Sequence, residues 1–288
     1  MIRNNSETLS NWDASRIARH PDRPTFTDHV EEIVRNFCEL HGDRRFGDDR
    51  AMITGFGTIG NHRVMLIGNE RGKDTTQRIK SNFGSPHPEG YRKALIKMKL
   101  AEKFGLPVVC MIDTKGAYPD IDSEERGIAM AIAVNAREMS LLRTVILCVV
   151  IGEGGSSGAL GIGVGDRIAA LEHAYLPVVS PDGNLATSCL NSTSRETTVS
   201  THECSASQLQ RLGLIDDVIP EPPGGAHRAP KRASKLLLDY LVSTLADLRR
   251  LDTCELVRRR YARLSVTGKR AQLLDAHLSE TIASRLHG

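Results

Sequence analysis

An α/β fold with a mainly parallel sheet is predicted for this sequence of 288 residues on three observations. Two apolar runs, 107–113 (PVVCMID) and 144–151 (TVILCVVI), are almost uninterrupted, as strands covered on both faces are. Segments with helical spacing separate and follow them, and a strand–helix–strand order makes successive strands parallel. Both runs end on Gly-rich turns, Thr114-Lys115-Gly116-Ala117-Tyr118-Pro119 and Gly152-Glu153-Gly154-Gly155-Ser156-Ser157-Gly158-Ala159. Such turns leave open backbone at the carboxyl ends of neighbouring strands, where α/β proteins bind ligands.

The elements follow in order. Residues 1–25 are polar, punctuated by His20-Pro21 and Arg23-Pro24, and read as an arm. Val30, Ile33, Val34, Phe37 and Leu40 have helical spacing, which predicts a helix over 26–40 ended by His41-Gly42-Asp43. Strands at 51–59 and 63–68 flank a Gly60-Asn61 turn. A basic stretch, 69–83, precedes a helix opened by Pro86-His87-Pro88 and running through 89–104. A helix at 124–142 lies between the two apolar strands, and a short Gly-rich helix at 156–164 and a strand at 167–171 come after them. Residues 183–208, rich in Ser, Thr and Asn, read as a loop or lid. Beyond 220–225 (PEPPGG), helices are expected at 236–248 and 254–264. The organisation is an arm (1–25), a central domain (26–225) and a helical extension (226–288).

Composition narrows the function classes. Charged residues make up 25% and the net charge is only +3, so no polyanion partner is implied, although a local basic patch for a coenzyme phosphate remains open. Aromatic content of 4% argues against base-stacking platforms, so nucleic acid is not an expected partner. The six cysteines form no C-x-x-C pair, and no metal is expected in this chain. No apolar run is long enough for a membrane span, and the expected location is the cytoplasm.

A strand that ends in a Gly-rich turn before a helix offers unpaired N–H groups that attract negative charge. Two clusters qualify: Gly116 with Ala117, and Gly154, Gly155, Ser156, Ser157, Gly158 and Ala159. The dipole argument alone does not separate phosphate binding from oxyanion stabilisation, and tight packing through small residues is an equal reading. No Gly-Lys-Ser/Thr follows Gly154, which removes a P-loop, and a third Gly is lacking for the dinucleotide fingerprint. Ser156, set in G-G-S-S-G, is not read as a nucleophile elbow, and a serine hydrolase is a minor alternative. Glu153, Glu124 and Glu125 are acid/base candidates, with Asp74 and His87 behind them. Arg71, Lys73, Arg78, Lys80, Arg92 and Lys93 are candidates for anion contact.

At these residues the sequence resembles the α subunits of bacterial acetyl-CoA carboxylase carboxyltransferase. The resemblance is carried by 17–21 (IARHP), 41–44 (HGDR), 78–84 (RIKSNFG), 88–94 (PEGYRKA), 113–119 (DTKGAYP), 124–127 (EERG), 137–140 (REMS), 150–160 (VIGEGGSSGAL), 162–166 (IGVGD), 214–222 (LIDDVIPEP) and 224–228 (GGAHR). It implies a ClpP/crotonase-like fold, with mainly parallel sheets wrapped by helices and a helical C-terminal extension. It implies transfer of a carboxyl group from carboxybiotin on a separate carrier protein to acetyl-CoA, giving malonyl-CoA, within fatty acid biosynthesis. A zinc-ribbon β subunit, in an α2β2 assembly, is the implied partner, with the biotin carboxyl carrier protein. Enolates form on both sides of that reaction, so backbone N–H pairs are the implied catalytic device. By position these are Gly116, Ala117, Gly158 and Ala159, with Gly154, Gly155, Ser156, Ser157, Tyr118, Lys73 and Arg78 binding substrate.

The sequence departs from that family's D-T-P-G-A-Y-P-G at Lys115 and Asp120, and from its G-G-S-G-G-A at Ser157. Loss of Pro loosens a turn, and Gly to Asp matters where φ is positive. Residues 184–207 also depart, which implies a divergent paralogue. Two alternatives to an active α subunit follow: an impaired paralogue that occupies a β partner, and a stand-alone crotonase-type hydratase or decarboxylase.

Overall fold

The computed structural model describes residues 11–177 and 205–266, so the departure after Gly183 lies almost wholly outside the described residues. Seven strands form one sheet in the order β1 to β7: Val34–Glu39, Met52–Ile59, His62–Asn69, Val108–Thr114, Ile146–Gly154, Arg167–Leu171 and Asp217–Ile219. The first three are antiparallel, and β3 through β7 run parallel. Every residue of β4 and β5 is buried, as their unbroken apolar runs require. The Pro88–Lys103 and Ile128–Leu141 helices pack on one another and close the core near these strands.

The helix expected over 26–40 is half strand. It stops at Ile33, and Val34 enters β1 with φ −110° and ψ 127°. A bulge explains the misleading spacing. The pairing of β1 with β2 shifts between Arg35 and Cys38, around Asn36 at φ 55°. One extra residue brings Val34 and Phe37 to the same face, where both lie over Gly57 of β2. An apolar pair three apart therefore imitates a helix.

The helix expected over 124–142 is two. Gly127 sits in the left-handed region at φ 79° and separates Ile121–Glu125 from Ile128–Leu141. Asp120 opens the first of them as its N-cap, accepting from the Ser123 N–H at 2.7 Å. Its φ is −132°, so the Gly-to-Asp departure meets no backbone strain here. The short strand β7 was not legible as a strand, because three residues carry no period.

Residues 11–25 are bound to the body. Arg23, completely buried, forms a bidentate pair with Glu221 (2.5 and 3.0 Å) and donates to the Ile151 carbonyl at 2.8 Å. Arg71 donates to the carbonyls of Ala18 and His20. At the other end, Arg260 donates to the carbonyls of Met139, Leu142 and Thr144 and pairs with Asp166, which anchors the helix at 253–266.

His29 makes folding acid-sensitive. Burial first, and the Arg23 charge second, push its imidazole down to about 4. The unfolded chain then binds a proton that the fold refuses, so this contribution is complete above pH 6.5 and is lost as pH falls towards 4. The full swing is about 3 kcal/mol. Asp49, raised to about 6 mainly by burial, acts in the opposite sense between pH 4 and 6. His29→Gln is therefore expected to remove a positive slope of unfolding free energy against pH over 4–6.5. Urea titrations at several pH values read it, and parallel wild-type and variant curves would contradict the assignment.

Candidate functional site

The two Gly-rich turns meet. Gly155 donates its N–H to the Thr114 carbonyl at 2.8 Å, which ties the end of β5 to the end of β4. Gly158 lies against the Gly116–Ala117 peptide, so a Cβ on it would stand 2.5 Å from the Gly116 carbonyl carbon and 2.6 Å from the Ala117 nitrogen. Gly116 itself has φ +144°, open to glycine alone. The Tyr91 hydroxyl donates to the Gly158 carbonyl at 3.1 Å, and Asn135 holds the carbonyls of Tyr91 and Gly161. Buried side chains on two helices thus set the position of this turn.

Most amides of the two turns are already spent. Gly116 N–H donates to Thr114 Oγ1 (3.0 Å), Gly154 to the Tyr175 carbonyl (2.8 Å), Ser156 to that of Pro177 (3.0 Å) and Ala159 to that of Gly155 (3.1 Å). Among the described residues, nothing accepts from the N–H groups of Ala117, Ser157 and Gly158. Of the four amides expected to act, Gly116 and Ala159 are engaged within the protein, and two adjoining ones, Ala117 and Gly158, have no acceptor among the described residues.

Contrary to the reading that no elbow is present, residues 154–158 do spell the G-x-S-x-G of a nucleophile elbow, and Ser156 has the strained backbone of one, at φ 50° between strand and helix. No imidazole or carboxylate among the described residues bonds to its hydroxyl, so the base that would activate it is lacking there. Ser157 is exposed.

A cavity of about 140 Å3 opens beside this turn, with Thr114 and Lys115 in its wall. Arg78 lines it, as does Phe83. Glu153 lines it too, but its carboxylate is gripped by Arg19 at 2.6 and 2.9 Å. An acid/base role for Glu153 gives way to this ion pair. Glu124 and Glu125 are exposed on the Ile121–Glu125 helix and do not line the cavity. Asp74 is the N-cap of the Thr75–Lys80 helix, and His87 bonds to Ser123 Oγ at 2.8 Å.

The remaining anion-binding candidates separate. Lys73 is outside the cavity and pairs with Asp28. Arg92 pairs with Asp43 at 2.8 Å, and buried Lys93 pairs with Asp48 at 2.5 Å, so both serve the interior. Lys80 lies on an exposed helical turn. Tyr118 packs on His87, ring centroids 4.4 Å apart, so its near face is occupied. Sequence reasoning missed Arg19 as a wall residue and Tyr91 and Asn135 as supports; only the IARHP and PEGYRKA strings hinted at the first two. Among the described residues no group of three or more His, Cys, Asp or Glu side chains is placed to hold a metal, and no helix is long and apolar enough to cross a membrane.

Comparison with known proteins is consistent with this geometry. The family model described as acetyl co-enzyme A carboxylase carboxyltransferase-like matches residues 1–268. The acetyl-coenzyme A carboxylase carboxyl transferase subunit alpha of Geobacillus kaustophilus is 47% identical over 277 residues, covering 96% of this chain and 84% of that protein. The same subunit of Methylococcus capsulatus is 48% identical over 257 residues, 89% of this chain and 80% of that one. Among solved structures, transcarboxylase 12S with methylmalonyl-coenzyme A and methylmalonic acid bound aligns with a TM-score of 0.59 at 17% identity, over 82% of this chain and 46% of that chain. A Pseudomonas malonate decarboxylase hetero-tetramer in complex with coenzyme A aligns at 0.60 and 13%, over 81% and 93%. At such identities these structures speak for the fold alone, the crotonase-type carboxyltransferase fold that the sequence led one to expect. The extent and level of the sequence matches place this chain in the family of acetyl-CoA carboxylase carboxyltransferase α subunits.

Proposed function

We propose that this chain is the α half of a biotin-dependent acetyl-CoA carboxyltransferase, forming malonyl-CoA only together with a β-type subunit. One observation carries the reading: adjoining, unspent N–H groups of Ala117 and Gly158 at the ends of two neighbouring parallel strands. When bound, biotin on its carrier protein brings the carboxyl group on a ureido nitrogen and gathers negative charge on the ureido oxygen as that group leaves. Ala117 and Gly158 N–H are suited to hold such an oxygen, since they are preorganised and cost no rearrangement during reaction. Thr114 fixes the Gly116 peptide through both its atoms, accepting from N–H and donating to the carbonyl (3.0 and 2.9 Å). Tyr91 and Asn135 hold the other side. Activation of the acetyl thioester falls to the partner, because Glu153, the acid/base candidate at the turn among the described residues, is tied to Arg19.

The partners in this reading are a zinc-ribbon β subunit in an α2β2 complex, a biotin carboxyl carrier protein and acetyl-CoA. Family membership supports the first two. A cytoplasmic location is supported by Cys110 and Cys148, which face each other across β4 and β5 as free thiols. Two of the departures do not favour an impaired paralogue: Asp120 caps a helix without strain, and Ser157 lies at the exposed start of its own.

A reconstituted assay tests this. Malonyl-CoA formed from carboxylated biotin carrier only when a β subunit is present supports the proposal. Complex formation without turnover points to the impaired paralogue, and turnover by the chain alone to a stand-alone enzyme. In the same assay Ser157→Gly is expected to match or exceed the wild-type rate, because the site uses main-chain N–H groups. A large loss would give Ser157 a role of its own.

A further inference from the structure

We infer that the cavity at the end of β4 binds a small carboxylate held by Lys115 and Arg78. Four cationic side chains line it, Arg19, Arg71, Arg78 and Lys115, against two anionic ones, Asp113 and Glu153. The anions are spoken for. Glu153 takes both oxygens to Arg19, and Asp113 lies 3.3 Å from Arg71 Nε. What remains is positive. Arg78 spends only Nε, on the Gly72 carbonyl at 3.3 Å, which leaves both terminal nitrogens of its fork without a described partner. Lys115 has no hydrogen bond or ion pair with any described residue.

Two cations in a concave wall, with no anionic partner among the described residues, draw an anion. The planar fork of an arginine matches a carboxylate or a phosphate, and an ammonium adds a second point charge. About 140 Å3 of open space at this wall gives room for a small acid group. Phe83 adds a flat apolar flank, held by consecutive residues at positive φ, Asn82 at 48° and Phe83 at 54°. The Lys115 side chain starts from a clamped position, since its carbonyl packs against Gly155, where a Cβ has no room. Ala117, two residues on, carries one of the unspent N–H groups, so a carboxylate held here adjoins that turn. That this carboxylate is the carboxyl group in transit rests on the function proposed above, and it makes Lys115 a specificity-determining residue for the donor.

Calorimetric titration of the full chain with malonate tests the site without turnover. Saturable binding is expected, weakened at least tenfold by Lys115→Met and by Arg78→Gln, and unchanged by Lys103→Met, an exposed lysine outside the cavity. Absence of saturable binding, a Lys115→Met constant within twofold of wild type, or phosphate binding more tightly than malonate would each overturn the assignment. In the reconstituted complex, Lys115→Met is expected to raise KM for the carboxyl donor at least tenfold with kcat within threefold. Malonate binding that depends on Lys115, in a complex that forms no malonyl-CoA, keeps the site and sinks the reaction assigned to it.

Discussion

Gly158→Val is expected to abolish most of the carboxyl transfer, by about 10²–10³-fold in kcat, as loss of one oxyanion donor does. Its Cβ would fall 2.5–2.6 Å from the Gly116 carbonyl carbon and the Ala117 nitrogen. Both atoms are backbone, and neither can swing away as a flexible side chain would. Something in the two turns has to move, and the Ala117 and Gly158 N–H groups move with it. Gly158→Ala brings the same Cβ without the further methyls and should lie between. The measurement is kcat in the reconstituted complex, alongside a denaturation curve for each variant. Loss of activity with an unchanged midpoint would place the effect in the turn. Full activity in Gly158→Val would remove the basis for assigning the amide pair to catalysis.

Glu221→Ala should be the most destabilising single change, by about 3–5 kcal/mol, because it strands a buried guanidinium. Neither Arg23 nor Glu221 has any exposed side-chain surface. Glu221 also accepts from the N–H groups of His173 (3.1 Å) and Ala226 (2.6 Å). Burial pushes its carboxyl up, but His173 and Arg23 more than offset this and hold it below the ordinary carboxylate range. Its contribution is thus present above the unfolded carboxyl range and is lost as pH falls through the lower folded value. Domains have about 5–15 kcal/mol in all, so the variant should lose about a fifth or more of its urea resistance. The double change Arg23→Met with Glu221→Leu leaves no orphaned charge and should recover much of that loss. A single variant as stable as wild type would show that this pair does not fasten residues 11–25.

Legibility in the sequence followed the kind of signal. β4 and β5 were readable because strands buried on both faces leave unbroken apolar runs, and the Gly60-Asn61 turn because few residues serve there. The stretch around Val34 misled because a bulge at Asn36 turns strand alternation into a spacing of three. The glycines marked the right turns, but composition does not tell a spent amide from a free one. Gly116 and Ala159 look as suitable as Ala117 and Gly158 until the Thr114 hydroxyl and the Gly155 carbonyl are placed.

By itself the sequence determined the α/β class, the two buried strands, the glycine turns after them and the family strings spread along the chain. These are local properties: apolar runs, permitted φ values and identities at fixed spacing. The tertiary structure alone decided which of the described amides lack an acceptor, that Glu153 is tied to Arg19, that Lys73 answers to Asp28, and that Arg78 and Lys115 line one cavity. Hydrogen-bond partners and neutralising charges come from residues far apart in the chain. Glu153 and Arg19 are 134 positions apart, so no spacing rule along the sequence could have paired them.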